Sequence, residues 1–158
     1  MNSATLISHG DLETVDIGKK ISNLISKRTD PYPFLIFLSG ELGSGKTTLC
    51  KGILKGLGHE GIVKSPTYNL VETYEISGFL IFHFDFYQIS HPKELSNIGI
   101  KEYLDTNKGI SIIEWPEKMI SLLPNPDIEI KLNHSLNNEN ERSLEINSKN
   151  SIGLKKRG

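Results

Sequence analysis

Gly40-Glu41-Leu42-Gly43-Ser44-Gly45-Lys46-Thr47-Thr48 is the stretch that decides the reading of this chain. An apolar run, Phe34 to Leu38, leads into it and a helix-like segment, Thr47 to Leu57, leads out. Glycine, four free positions, then Gly-Lys-Thr, set between strand and helix, is the spacing of a phosphate cradle. The glycines at 40, 43 and 45 let the backbone curl until successive N–H groups point at one anion. Lys46 adds a mobile charge for the β- and γ-phosphates of a nucleotide, and Thr47 a hydroxyl for Mg²⁺. The helix that begins there contributes the positive end of its dipole. Leu42, Gly43, Ser44, Gly45, Lys46 and Thr47 are thus the expected cradle. A plain glycine-rich turn is the alternative, and the flanking strand and helix set it aside.

Outward from the loop, the whole chain has 158 residues, 37% of them apolar, and a net charge of -1, which suits one globular domain with a buried core. No apolar stretch approaches the roughly 20 residues a membrane span needs. Asp11, Glu13 and Asp16 stand where a secretory signal would be basic and then apolar, so the expected location is the cytoplasm. A single cysteine, Cys50, excludes an intramolecular disulfide and reads as a packing residue on the loop helix. The near-neutral balance argues against nucleic-acid binding through a broad basic surface. Lys155-Lys156-Arg157 reads as a solvated tail.

Asp11 to Lys27 carries Leu12, Val15, Ile17, Ile21, Leu24 and Ile25 at helical spacing, with Asp11 as N-cap. Pro31 and Pro33 break the chain before the buried strand. Tyr68 to Ile76 and Phe79 to Tyr87, joined by Ser77-Gly78, read as a hairpin. In its second arm Leu80, Phe82, Phe84 and Phe86 share one face; Ile81, His83, Asp85 and Tyr87 lie on the other, which turns polar at its end. Pro92 to Leu104 predicts one or two short helices around Gly99, Gly109 to Trp115 a buried strand, and Pro116 a short helix start. Asp127 to Asn133 and Ser143 to Asn147 make a terminal hairpin. The expected fold is α/β: one P-loop NTPase-like domain over residues 1–150, a mixed central sheet flanked by helices, with β-hairpins including one near the C-terminus, followed by a basic tail, 151–158.

Mg²⁺-nucleotide chemistry needs a carboxylate beyond the loop, where an apolar strand ends. Asp85 and Glu114 both have that placement, so one or both are candidate metal ligands, and Glu114 can also orient an attacking water. A solvated strand-end acid is the weaker alternative at each. His83 reads as a hydrogen-bonded structural residue, since a transition-metal site would lack a third ligand. Thr67, in Ser65-Pro66-Thr67-Tyr68, is either a switch-like hydroxyl for γ-phosphate or Mg²⁺, or part of a Pro-anchored turn. Trp115 reads as a core or rim aromatic.

Three arginines, Arg28, Arg142 and Arg157, are too few for the clamp of a small-molecule kinase. Asn107-Lys108-Gly109-Ile110 lacks the aspartate of a guanine reader, which disfavours GTP. Without an internal arginine finger, ATP hydrolysis is expected to be slow alone and faster with a partner.

Four blocks taken together resemble the TsaE (YjeE) family of bacterial ATPases of tRNA threonylcarbamoyladenosine synthesis. They are the loop, Val63-Lys64-Ser65-Pro66-Thr67-Tyr68-Asn69-Leu70-Val71-Glu72, His83-Phe84-Asp85-Phe86-Tyr87 and Ile113-Glu114-Trp115-Pro116. The likeness runs from about Asp11 to Arg142. It implies a cytoplasmic ATPase using ATP and Mg²⁺ that binds the TsaB–TsaD complex, touches tRNA indirectly, and supports the transfer without performing it. The chain alone is expected to be monomeric. By resemblance, Lys46, Thr47 and Thr48 contact phosphate and Mg²⁺, Asp85 is the Walker-B-like acid, Glu114 lies at the metal and Thr67 is the switch threonine. Asp11 and Arg142 match positions bordering the nucleotide. Gln88 stands where the family often has Arg, and Lys93 thins the acids that usually follow. Both departures bear on the partner surface. The competing readings are a nucleotide-gated assembly module with incidental hydrolysis, and a small phosphotransferase.

Overall fold

The apolar run before the loop lies where its composition demands, in the interior of a sheet. In the computed structural model, which describes residues 2–28, 32–66 and 70–149, this strand is Phe34–Ser39 (β2), with parallel neighbours on both sides. The remaining strands are β1 (Asn2–Ser8), β3 (Val71–Ile76), β4 (Phe79–Asp85), β5 (Gly109–Glu114), β6 (Ile128–His134) and β7 (Arg142–Ser148). They lie in the order β1-β7-β6-β2-β5-β4-β3. The central four, β6-β2-β5-β4, run parallel, while β7, β1 and β3 join antiparallel at the flanks. The expected α/β class, mixed sheet and two hairpins are all present. Asp127 stitches β6 to β2: its carboxylate accepts the Leu35 N–H at 2.8 Å, and its own N–H donates to the Leu35 carbonyl.

A strand buried on both faces must have cover on both, and the two sides are covered differently. Helices α1 (Asp11–Ser26) and α2 (Lys46–Leu57) place Ile17, Ile21, Ile25, Leu49, Ile53 and Leu54 against Ile36, Leu38, Ile112 and Ile130. On the opposite face α3 (Pro92–Ile98), α4 (Ile100–Leu104) and a kinked 3-10 segment, Pro116–Leu122, cover Leu35, Phe37, Phe82, Phe84 and Ile113. The second face of β4 turns polar at its end, at Asp85. On that face Ile81 and His83 are fully buried under the α1–α2 layer, while Phe79 at one end and Asp85 at the other are partly exposed. Alternation identifies two faces but not which of them a distant helix covers.

Helices α1 and α2 lie very close. A Cβ on Gly52 would stand 2.3 Å from the Val15 carbonyl oxygen, and one on Gly18 would stand 2.6 Å from that of Leu49. Only hydrogen at both positions lets the two backbones approach this far. This contact sets the tilt of α2, and with it the position of the loop that α2 terminates.

Two expectations change. Gly10, not Asp11, occupies the N-cap of α1; Asp11 is the first helical residue, and no side chain caps this end. Instead Glu13 reaches back to accept the His9 N–H at 2.7 Å. β1 is an additional element: it pairs with β7 from Asn2↔Ser148 to Ser8↔Arg142, and its small polar sequence carries no strong strand signal. The hairpin turn Ser77-Gly78 has positive φ at both residues, 51° and 84°, matching the strand twist as a type I′ turn does. Thr67, Tyr68, Pro31 and the 151–158 tail lie outside the described residues.

Candidate functional site

Parallel strands β2, β5 and β4 end at the same rim, and the loop leaves β2 there. A cleft of about 400 Å³ opens at this rim. Leu42, Gly43, Gly45, Lys46, Thr47 and Thr48 line it from the loop and α2, Asp11 from α1, Asp85 and Glu114 from the strand ends, and Arg142 from the start of β7. Ser44 is buried behind the loop. Thr67 is the one candidate site residue outside the described range. Gly10, Thr14, Ser65, Tyr87, Trp115 and Asn140 also border the cleft. Tyr87 and Trp115 were readable as neighbours of the two acids; Asn140 arrives on a distant hairpin and had no signal of its own.

The curl of the loop is enforced at its first glycine. A Cβ on Gly40 would stand 2.5 Å from the Leu132 carbonyl oxygen of β6 and 2.6 Å from Ser44 Oγ. Lys46, only 5% exposed, bends back over this curl. Its Nζ donates to the carbonyls of Gly40 at 2.5 Å and Glu41 at 2.9 Å and lies 4.4 Å from the Trp115 ring centroid. Burial lowers the lysine pKa, and the charges of Glu114, Asp85 and Glu117 work against that shift. The ammonium thus occupies a berth of carbonyl oxygens and an aromatic face, with carboxylates nearby.

Asp85 and Glu114 are register partners on adjacent parallel strands. Asp85 Oδ1 accepts the Tyr87 N–H at 2.9 Å, a turn that fixes the carboxylate at the strand end. Burial raises its pKa; the Tyr87 bond lowers it and the nearby Glu114 raises it further. Glu114 is 2% exposed. Thr47 Oγ1 donates toward it at 3.4 Å to Oε1, and His83 Nε2 lies 2.5 Å from Oε2. Burial opposes charge on the His83 ring, but Cys50 and the Glu114 carboxylate outweigh it, and the His83 pKa is raised. Two carboxylates and a hydroxyl at one end of a polar cleft suit a hard divalent cation such as Mg²⁺, whose remaining ligands are ordinarily water and phosphate oxygens. No cluster of three or more His, Cys, Asp or Glu side chains able to hold a metal occurs among the described residues.

Trp115 follows Glu114 in the left-handed region, φ 60° and ψ 48°, an uncommon place for a bulky side chain and one that holds about 1–3 kcal/mol of strain. Its N–H donates to the Leu38 carbonyl at 3.2 Å, and its ring lies 5.0 Å from that of Tyr87. This turn aims the indole over Lys46. On the far side, Arg142 ties the β6–β7 hairpin to the loop: it donates to the carbonyls of Gly43 at 3.4 Å, Glu141 at 3.2 Å and Glu139.

Strand, glycine-rich loop, helix and two strand-end acids at one rim define a P-loop NTPase-like fold. The crystal structure of Bacillus subtilis YdiB shares that fold with a TM-score of 0.74 at 24% identity, over 93% of this chain and 86% of the other. The chain belongs to the TsaE family: the family model described as "Threonylcarbamoyl adenosine biosynthesis protein TsaE" matches residues 8–144. Relatives named "tRNA threonylcarbamoyladenosine biosynthesis protein TsaE" include one from Haemophilus influenzae, 39% identical over 97% of this chain and 94% of its own length. One from Rickettsia conorii is 37% identical over 83% and 74%, and one from Bacillus subtilis 32% identical over 78% and 75%. No helix among the described residues is long and apolar enough to cross a membrane.

Proposed function

We propose that this chain is a partner-dependent ATPase of tRNA threonylcarbamoyladenosine synthesis, acting on the TsaB–TsaD complex in the cytoplasm. The observation that carries the ATPase reading is the convergence of Lys46, Thr47, Asp85 and Glu114 on one cleft at the strand ends. Family membership over residues 8–144 carries the pathway. The loop N–H groups and the α2 N-terminus bind the phosphates. Lys46 leaves its carbonyl berth to meet them. Mg²⁺, held by Thr47 with Asp85, Glu114 or both, would screen the phosphate charge when bound. Glu114 orients water against the γ-phosphate, from a wall that Trp115 and Tyr87 keep apolar.

The partner-dependent reading is supported by the two arginines among the described residues. Arg142 is engaged by three backbone carbonyls, and Arg28 donates to the Tyr32 carbonyl and packs over Phe34. Neither is set to neutralise charge developing on a transferred phosphoryl group, a contribution of about 10³-fold or more where an arginine finger supplies it. ATP hydrolysis is expected to rise by at least about tenfold when the TsaB–TsaD pair is added. An unchanged rate would remove the partner-dependent reading. Glu114→Ala separates it from a nucleotide-gated assembly module: intact tRNA modification with hydrolysis abolished would favour the module.

The single tryptophan offers an independent measure of nucleotide binding. Because the Trp115 ring lies over the Lys46 ammonium, drawing Lys46 to a phosphate changes the environment of the indole. Intrinsic fluorescence is expected to shift on titration with ADP, and Lys46→Ala to lose most of the change. A spectrum indifferent to saturating nucleotide would mean that the lysine does not leave the ring.

A further inference from the structure

His83 is an imidazole buried in the middle of an apolar strand, and ATP chemistry at the cleft has no direct use for it. Its ring is 0% exposed. It stands opposite Ile112, one side-chain repeat inward from the Asp85↔Glu114 pair and on the same face. Burying such a ring demands a polar partner. Glu114 Oε2, at 2.5 Å from Nε2, is that partner. Nδ1 has no hydrogen-bond partner, and the Cys50 thiol is the polar group that acts on the ring beside Glu114. The short hydrogen bond of the ring is therefore the one to this carboxylate oxygen, with the Cys50 thiol acting beside it.

That oxygen belongs to a side chain with three rotatable bonds at the very end of β5. Thr47 alone holds it loosely, at 3.4 Å to Oε1 and 3.5 Å to Oε2. The ring behind it is packed in the interior and cannot follow the carboxylate into the cleft. We propose that His83 is a positioning residue, which pins Glu114 Oε2 from inside the sheet and leaves Oε1 presented beside Thr47 for metal and water. The inference rests on the proposed ATPase reading of the cleft, and assigns to this chain an orienting group one layer behind the site.

The test uses two amide substitutions in the full chain that differ in reach. The amide nitrogen of His83→Gln overlays Nε2 and still meets Glu114; that of His83→Asn overlays Nδ1 and stops short. Fluorescent mant-ADP binding is measured with and without Mg²⁺, alongside ATP turnover with the partner pair. Outer partners of a metal ligand typically contribute about 10–100-fold. His83→Asn is expected to raise the Mg²⁺ concentration for half-maximal binding by about tenfold and to lower kcat by about 10–100-fold, with metal-free mant-ADP affinity unchanged. His83→Gln should restore most of both. In a Glu114→Gln background, His83→Asn should have little further effect.

The proposal is overturned if the Asn and Gln variants are equally impaired, if metal-free affinity falls in parallel, or if the effect is undiminished in Glu114→Gln. A wild-type chain whose mant-ADP binding ignored both Mg²⁺ and Lys46→Ala would instead overturn the ATPase reading, and the inference with it. Should His83→Asn fail to fold, His83→Gln alone carries the test: Mg²⁺-dependent mant-ADP binding and kcat close to wild type are expected, and a loss as large as that of Glu114→Gln overturns the proposal.

Discussion

Lys46→Ala is expected to reduce ATP turnover by at least about 100-fold, with or without a partner, because the charge it supplies has no substitute at the loop. Arg142 is held by carbonyls on the hairpin side, and the next lysine in sequence, Lys51, lies further along α2. The substitution should leave the fold intact. It removes a buried ammonium whose burial is itself unfavourable, together with a cation–π contact of about 0.5–2 kcal/mol and two bonds to loop carbonyls that water can replace. Opposed terms of this size predict a net change in stability within about 1 kcal/mol. Product release measured beside a denaturant titration checks both halves. Turnover within tenfold of wild type would show that the phosphates are handled elsewhere.

Gly52→Ala is expected to be among the more damaging single-methyl changes at the described glycines. Three backbone atoms of Val15 lie between 2.3 and 2.9 Å from where the new carbon would stand, so no side-chain rotation can relieve the clash. Helix α1 would have to move off α2. Overpacking of this kind takes about 1–3 kcal/mol, occasionally more, while alanine returns about 1 kcal/mol of helix propensity. With the clash against backbone placing the cost at the upper end of that range, we expect a net loss of about 1–2 kcal/mol, or roughly 2–8 °C in Tm for a domain of this size. Activity should fall with it, since α1 brings Asp11 and α2 brings Thr47 to the same cleft. A variant as stable as wild type would show that the helices are further apart than described.

What could be read in the sequence and what could not divide by range. The strand, loop and α2 are a local pattern, in which each residue type has its reason within a dozen neighbours, and they were legible with close boundaries. The same holds for the Ser77-Gly78 turn and for the acids after the apolar runs of β4 and β5, because a strand end is visible wherever the apolar run stops. Burial imposed from afar was not legible. The second face of β4 turns polar at its end as its sequence reads, but nothing local tells that the α1–α2 layer closes over Ile81 and His83. β1 becomes a strand through its pairing with β7, a partner no local window contains. Gly10 displaced Asp11 as N-cap because Glu13 and the His9 N–H close that helix end without a capping side chain at the cap position.

That pairing of β1 with β7 has a consequence for how the molecule assembles. β2, α2, β4 and β5 can build the loop half of the sheet from segments that emerge in succession. β1 precedes all of them, yet its register, Asn2↔Ser148, waits for the last strand of the described sheet. Closing so long a span is entropically slow, so the outer half of the sheet is expected to form after the nucleotide-binding half. The Arg142 tether between β7 and Gly43 comes into being when the β6–β7 hairpin docks on β2, making completion of the cleft a late event in folding.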